Sequence, residues 1–229
     1  MQHVRASRAA VAVGNVLACS GLVGFIACSD TGVTEPVASA PAHAAAIPSP
    51  ATVGFHPDIV AYSGDTLVQT FVYNPATGAS VNFANRAQIT VPAGAVCDPK
   101  SSGYGPSSWD KKCTPLTTPV SFTVRAWKSG GNAQAVVSPD VRFVPGKVAQ
   151  LYMAAPSNDT TAKPVIQWCT SAMTGCVNEG TTDPALATQY APAYSVAYRR
   201  IKHFSGYNIG WSRGASANAN AGAQGSNGQ

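Results

Sequence analysis

The chain has 229 residues, 45% of them hydrophobic and only 11% charged, with 21 Gly and 17 Pro. That is enough apolar material for a core, and too little charge for a coiled coil or a charge-driven disordered chain. The formal charge is +5, but with Arg5 and Arg8 set aside as part of a targeting segment, thirteen basic residues face ten acidic ones. A net +3 is too small for a nucleic-acid reader built on phosphate neutralisation.

Met1 to Arg8 carries two arginines and no acid, and residues 9–27 then run nineteen positions without a charge. A positive start before an apolar run is the signature of export. The positive end stays in the cytoplasm, so everything downstream crosses the membrane. Three fates are open: ordinary cleavage, retention as a membrane helix, since about 17–25 apolar residues can span a bilayer, or cleavage before a cysteine that then carries lipid. Phe25-Ile26-Ala27-Cys28, followed by Ser29-Asp30, resembles a bacterial lipobox, with Phe25 where Leu is usual; Val16-Leu17-Ala18-Cys19 is an earlier match. Residues 1–28 are thus expected to be a signal or anchor segment, with Cys28 as the lipidated residue. Residues 29–52 hold Pro36, Pro41, Pro48 and Pro50 among Ala, Ser and Thr, without apolar periodicity, which is the composition of a semi-extended tether.

Residues 53–213 read as an all-β domain. Leu67 to Tyr73 is continuously apolar, as for a strand covered on both faces. Gln88-Ile89-Thr90-Val91 alternates, as do residues 120–127, where Val120, Phe122, Val124 and Ala126 take one face. Val141-Arg142-Phe143 and residues 207–211 repeat the pattern. Asn74-Pro75, Pro92-Ala93-Gly94 and Pro145-Gly146 punctuate the runs as turns, and no stretch keeps a helical period for three turns. Many short strands with no helices imply an antiparallel β-sandwich. Residues 214–229 are Gly, Ala, Ser, Asn and Gln, with nothing to offset the entropy of ordering, so a disordered tail is expected.

Beyond the export segment four cysteines remain, Cys97, Cys113, Cys169 and Cys176. They allow three connectivities, of which local pairing, 97–113 and 169–176, is the simplest in an oxidising compartment. Zinc lacks partners, because His43, His56 and His203 stand at no ligand spacing. The segment 97–113 is crowded with Gly, Pro and Ser yet holds Tyr104 and Trp109. It is either a stapled excursion folded back on the domain or a presented binding loop.

Gln88-Ile89-Thr90-Val91-Pro92-Ala93-Gly94-Ala95-Val96 resembles the strand-and-turn motif of ZU5-like β-sandwich domains, and His203-Phe204-Ser205-Gly206-Tyr207 resembles a segment near the end of the same domains. The Cys97–Cys113 insertion departs from that pattern. The resemblance implies a non-catalytic module that binds protein partners or supports neighbouring domains, a role that fits a surface lipoprotein. His203 itself reads as a structural residue tying down a strand end.

No nucleophile elbow, H-E-x-x-H, phosphate loop or dinucleotide fingerprint is present. Most acids lie in turn sequences, where Asp ordinarily accepts backbone hydrogen bonds. No catalytic residue, metal or cofactor is therefore expected. After Asp183 the chain has no acid, while Arg199, Arg200, Lys202 and Arg213 lie close together. The first three are candidates for a surface patch facing anionic head groups or an acidic partner, with Tyr190, Tyr194 and Tyr198 near them as the other candidate surface and Tyr104 and Trp109 as binding candidates on the stapled loop. The expected protein is a non-enzymatic sandwich, exported and anchored to a membrane by lipid or by an N-terminal helix, on the periplasmic or extracellular face. It would bind protein, either as a free surface module or as an extrinsic subunit bracing an integral membrane complex. The alternative is a polysaccharide or cell-wall module with Tyr104, Trp109 and Trp127 as its platform.

Overall fold

A computed structural model describes residues 46–57, 66–129, 132–155 and 163–212, all within the unit Ser39–Gln229. The segment 1–28 with Cys28, the tether up to residue 45, Arg213 and the tail lie outside the described residues. No helix among the described residues is long and apolar enough to cross a membrane.

Among the described residues ten strands form two antiparallel sheets. They are β1 (Leu67–Tyr73), β2 (Ala79–Phe83), β3 (Ala87–Val91), β4 (Val120–Ser129), β5 (Asn132–Arg142), β6 (Ala149–Ala154), β7 (Lys163–Cys169), β8 (Gln189–Ala191), β9 (Val196–Ile201) and β10 (His203–Ser212). One sheet has the order β1-β4-β5-β10-β7 and the other β2-β3-β6-β9-β8. The expected β-sandwich is what the chain forms. Period-two alternation accounts for the core. Phe122, Val124 and Ala126 of β4 face Ile89, Leu151 and Met153 of the second sheet within one cluster, with Phe71, Phe83, Phe143 and Phe204 packed ring against ring around them.

Leu67–Tyr73 departs from expectation. The run is an edge strand paired among the described residues only with β4, and Val68 and Val72 are 59% and 60% exposed. Its apolar continuity marks no second layer.

The packed region also begins earlier than Val53. Ile47 and Phe55 cover Tyr152 and Val196 on the outer side of the second sheet, and the Tyr152 hydroxyl donates to the Pro48 carbonyl at 2.9 Å. The final residues of the Pro/Ala-rich segment therefore act as a strap over β6 and β9.

One irregularity positions the site. On β10, His203 and Phe204 pair with Arg142 and Val141, but Gly206 pairs with Val136, so residues 137–140 of β5 stand opposite the single residue Ser205. Pro139 has no amide to give to the ladder and so suits a bulge. At Gly206 a Cβ would meet the Thr170 carbonyl and, at 2.7 Å, Met173 Sδ, so only glycine lets the Cys169–Cys176 turn close over the strand.

Candidate functional site

Both expected disulfides are present, Cys97–Cys113 and Cys169–Cys176. The second closes a tight turn after β7. Trp168 and Val177 exchange backbone hydrogen bonds of 2.9 and 2.7 Å across it, and the chain then enters a 3-10 turn, Glu179–Thr181, whose Gly180 amide is capped by Asn178 at 3.0 Å. That turn carries Glu179, the one glutamate of residues 53–213, into the interior.

There Glu179 meets Arg199 and His203. Arg199 Nη2 lies 2.6 Å from Glu179 Oε2, and His203 Nε2 donates to Oε1 at 2.9 Å. Arg199 completes its donors on the carbonyls of Ile166 (2.8 Å) and Arg200 (3.0 Å). The Tyr207 hydroxyl donates to the His203 carbonyl, and the two rings stack at 6.2 Å. Burial alone would raise the Glu179 carboxyl, but His203 and Arg199 together hold it below the usual carboxylate value. His203 is fully buried, and burial outweighs Glu179 to push its imidazole below the ordinary 6.5. The carboxylate charge is already matched by Arg199, so the histidine remains neutral. Tyr207 is pushed well above its usual value by burial.

The Cys97–Cys113 loop roofs this cluster. Trp109 stacks on His203 at 4.0 Å with 21° between planes and meets Trp168 edge-on at 4.9 Å. The Tyr104 hydroxyl donates to the Phe204 carbonyl at 2.8 Å, and burial raises Tyr104 to about 12. Buried Arg142 donates to the loop carbonyls of Gly103 (2.8 Å), Lys111 (2.5 Å) and Lys112 (3.1 Å). Lys202 Nζ bridges Asp110 of the loop at 3.0 Å and Asp183 at 2.8 Å. Burial disfavours its charge, yet these two carboxylates raise it above the usual lysine value. Beyond these anchors the loop turns Lys100, Lys111 and Lys112 into solvent.

The basic patch expected at Arg199, Arg200 and Lys202 is not a surface feature. Arg199 alternates with Ala197 and Ile201 on the core face of β9 and is 0% exposed. Lys202 is bound by two carboxylates, and only half-buried Arg200 lies on the outer face with interactions of its own. The parity of Ala197, Arg199 and Ile201 was the available signal; charge density hid it.

The stapled excursion folded back on the domain, rather than a free loop, is what Tyr104 and Trp109 report. Trp109 gives one face to His203, and Trp127 lies apart on β4 under the Arg125 guanidinium, 5.7 Å from its ring centre. The three aromatics make no common platform. Glu179 and Arg142 went unrecognised as site residues. Only long-range packing unites them with loop carbonyls and His203. Chemically, the cluster holds one neutral imidazole and one matched ion pair, each with its partners inside the protein. No family model, curated protein or solved structure matches this chain.

Proposed function

We propose that the protein is a non-enzymatic, exported, membrane-tethered β-sandwich that binds a protein partner, as an extrinsic subunit of an integral membrane complex, and that the Cys97–Cys113 loop is its contact element. The observation that carries this reading is the way the loop is held. A disulfide, the three carbonyl contacts of Arg142, the Tyr104 and Trp109 anchors and the Lys202 bridge fix its backbone, while Lys100, Lys111 and Lys112 stay exposed. A loop ordered before the encounter loses little entropy on binding, and exposed cations steer an acidic partner and set the register of docking. The Glu179–His203–Arg199 cluster supports a non-catalytic role, because its donors and acceptors are turned on one another beneath the loop. The two disulfides are compatible with an extracytoplasmic address; lipid on Cys28 would supply the tether.

Mild detergent extraction followed by native mass analysis tests the reading. The wild-type chain is expected to co-migrate with a membrane complex, and Lys100→Gln, Lys111→Gln and Lys112→Gln together are expected to release it in a salt-sensitive manner. Co-migration unchanged in the triple variant would remove the loop from consideration. A mature N-terminus at an acylated Cys28, lost in Cys28→Ser, is the expected anchor, and an intact Met1 would contradict it.

A further inference from the structure

A sandwich of two sheets has four strand edges, and each leaves backbone amides and carbonyls that must be met or guarded. On one side of this molecule they are. β7 opens with Lys163 and Pro164, and Pro164 has no amide to offer. Two residues on, the Ile166 amide donates to Thr188 Oγ1 at 2.9 Å, and after two more the Trp168 amide donates to the Val177 carbonyl at 2.9 Å. Alternate residues of a strand turn their amides to the same side, so the margin of β7 away from β10 is spent within the chain. The edge of the second sheet on that side, β8, is only three residues long and runs straight into a 3-10 turn, Pro192–Tyr194.

The other side is unguarded. β1 and β2 stand there, in contact across the sandwich and joined by the tight Asn74–Gly78 arch. Leu-Val-Gln-Thr-Phe-Val-Tyr of β1 and Ala-Ser-Val-Asn-Phe of β2 hold no charge, no proline and no glycine. β1 pairs with β4 through seven consecutive residues without a bulge, and among the described residues none of its backbone groups bonds on the opposite side. Val68 and Val72 stand on its solvent face, more than half exposed, with exposed Thr70 between them. A long, regular, uncharged edge with β-branched side chains in water is the kind that takes up another strand.

The order of residues along β1 selects that strand. Set antiparallel to a second copy about a two-fold axis at Thr70, β1 places Thr70 opposite itself, Val68 opposite Val72, Gln69 opposite Phe71 and Leu67 opposite Tyr73. The outward row through the axis then reads Thr123, Thr70, Thr70, Thr123, which extends the 3.3 Å hydroxyl contact of Thr70 with Thr123. The rows on either side read Arg125, Val68, Val72, Ser121. Both exposed valines are thereby covered by β-branched partners, and no like charges are set opposite each other. The pairing consumes the β1 edge of each copy and leaves the guarded β7 strands as margins, so the joined first sheets close at two copies.

We propose that the chain forms a two-fold dimer in which β1 of one copy pairs antiparallel with β1 of the other about Thr70. The Cys97–Cys113 loop is anchored on β5 and β10, which β4 separates from β1, so the dimer leaves both contact loops free. The inference stands on the strand edges and not on the loop reading.

Cysteine crosslinking of the full chain in mild detergent tests the register. Under mild oxidation Thr70→Cys is expected to give a disulfide-linked dimer that the wild-type chain does not, since opposed residues lie about 4.5–5.5 Å apart. Val68→Cys should give none, because its two copies are offset by about four residues, or about 14 Å along the strand. Sedimentation equilibrium should show a monomer–dimer exchange, weakened about tenfold by Val72→Lys, whose charge enters the interface twice. Val72 is exposed in the single chain, so at monomeric concentration that variant should melt like wild type, which separates a lost interface from a lost fold. The Lys100, Lys111 and Lys112 variant should dimerise like wild type. A monomer at every concentration overturns the proposal, as does a dimer indifferent to Val72→Lys. Crosslinking through residue 68 in place of 70 overturns the register. Capture of a different protein by Thr70→Cys, without self-crosslinking, gives the edge to another partner and overturns the dimer equally.

Discussion

Arg142, Arg199 and Lys202 are drawn into the protein, whereas Lys100, Lys111 and Lys112 stand in water on the very loop that Arg142 and Lys202 hold down. A guanidinium cannot shed its charge and must be met by acceptors. With a single glutamate within reach, the two buried arginines divide the supply, Arg199 taking Glu179 and Arg142 taking three backbone carbonyls. The internal cations therefore fix geometry, and the external ones are left for encounter. Proximity in sequence says nothing of which role a cation plays. Parity on a strand does.

The harshest way to break the internal set is Glu179→Gln, which leaves Arg199 buried without its counter-charge. A loss of about 3–5 kcal/mol is expected in urea unfolding, as for other broken buried pairs. Exchanging both partners for apolar residues, Arg199→Met with Glu179→Leu, should recover part of that loss, and no recovery would show that the pair also positions the 3-10 turn.

Removing the staples comes next. Cys97→Ser with Cys113→Ser frees a 16-residue separation and should cost roughly 3 kcal/mol from loop-closure entropy. Cys169→Ser with Cys176→Ser frees a separation of 7 and should cost roughly 2 kcal/mol. An inverted order would mean that the shorter staple, through Glu179, does more for the buried cluster than for its own turn.

Acid should loosen the internal set before it affects the external one. His203 is held below its ordinary value of 6.5, so below that pH the unfolded chain binds the proton that the folded chain refuses, and stability falls as pH is lowered. Glu179 is held below its ordinary 4.5, so its contribution is complete above that value and is lost as pH falls through its lower folded value. A melting temperature that declines from near neutrality downward is expected, with His203→Gln flattening the upper part of the decline. A profile level from pH 7 to pH 5 in wild type would contradict a neutral buried imidazole.

The smallest effect sharpens the comparison from the other side. Lys100→Gln, Lys111→Gln and Lys112→Gln together should leave the melting temperature nearly unchanged, since solvated surface positions contribute little. A marked drop would place these lysines in the internal set.

Much of this protein was legible from local pattern. Alternation in residues 120–127, the turns at Asn74-Pro75 and Pro145-Gly146, and the want of any helical period led to an antiparallel sandwich, because burying one face of a strand imposes a period of two wherever it happens. The disulfides followed from the short separations within each pair. Strands β2, β6, β7, β8 and β9 were not singled out, for their runs are short and β7 is interrupted by Pro164. The site was legible only in pieces. His203 read as structural from its place at a strand end, but Arg199 read as surface charge.

The sequence by itself determined the class of fold, the disulfide pairs and the chemical kinds of side chain at hand, all consequences of near neighbours and simple periodicity. Tertiary structure alone decided that Glu179, Arg199 and His203 meet, that Arg142 finds carbonyls on the loop, and that residues from Ile47 strap the second sheet. Each of these depends on strand order and register, which are set by packing summed over both sheets and are written in no single segment.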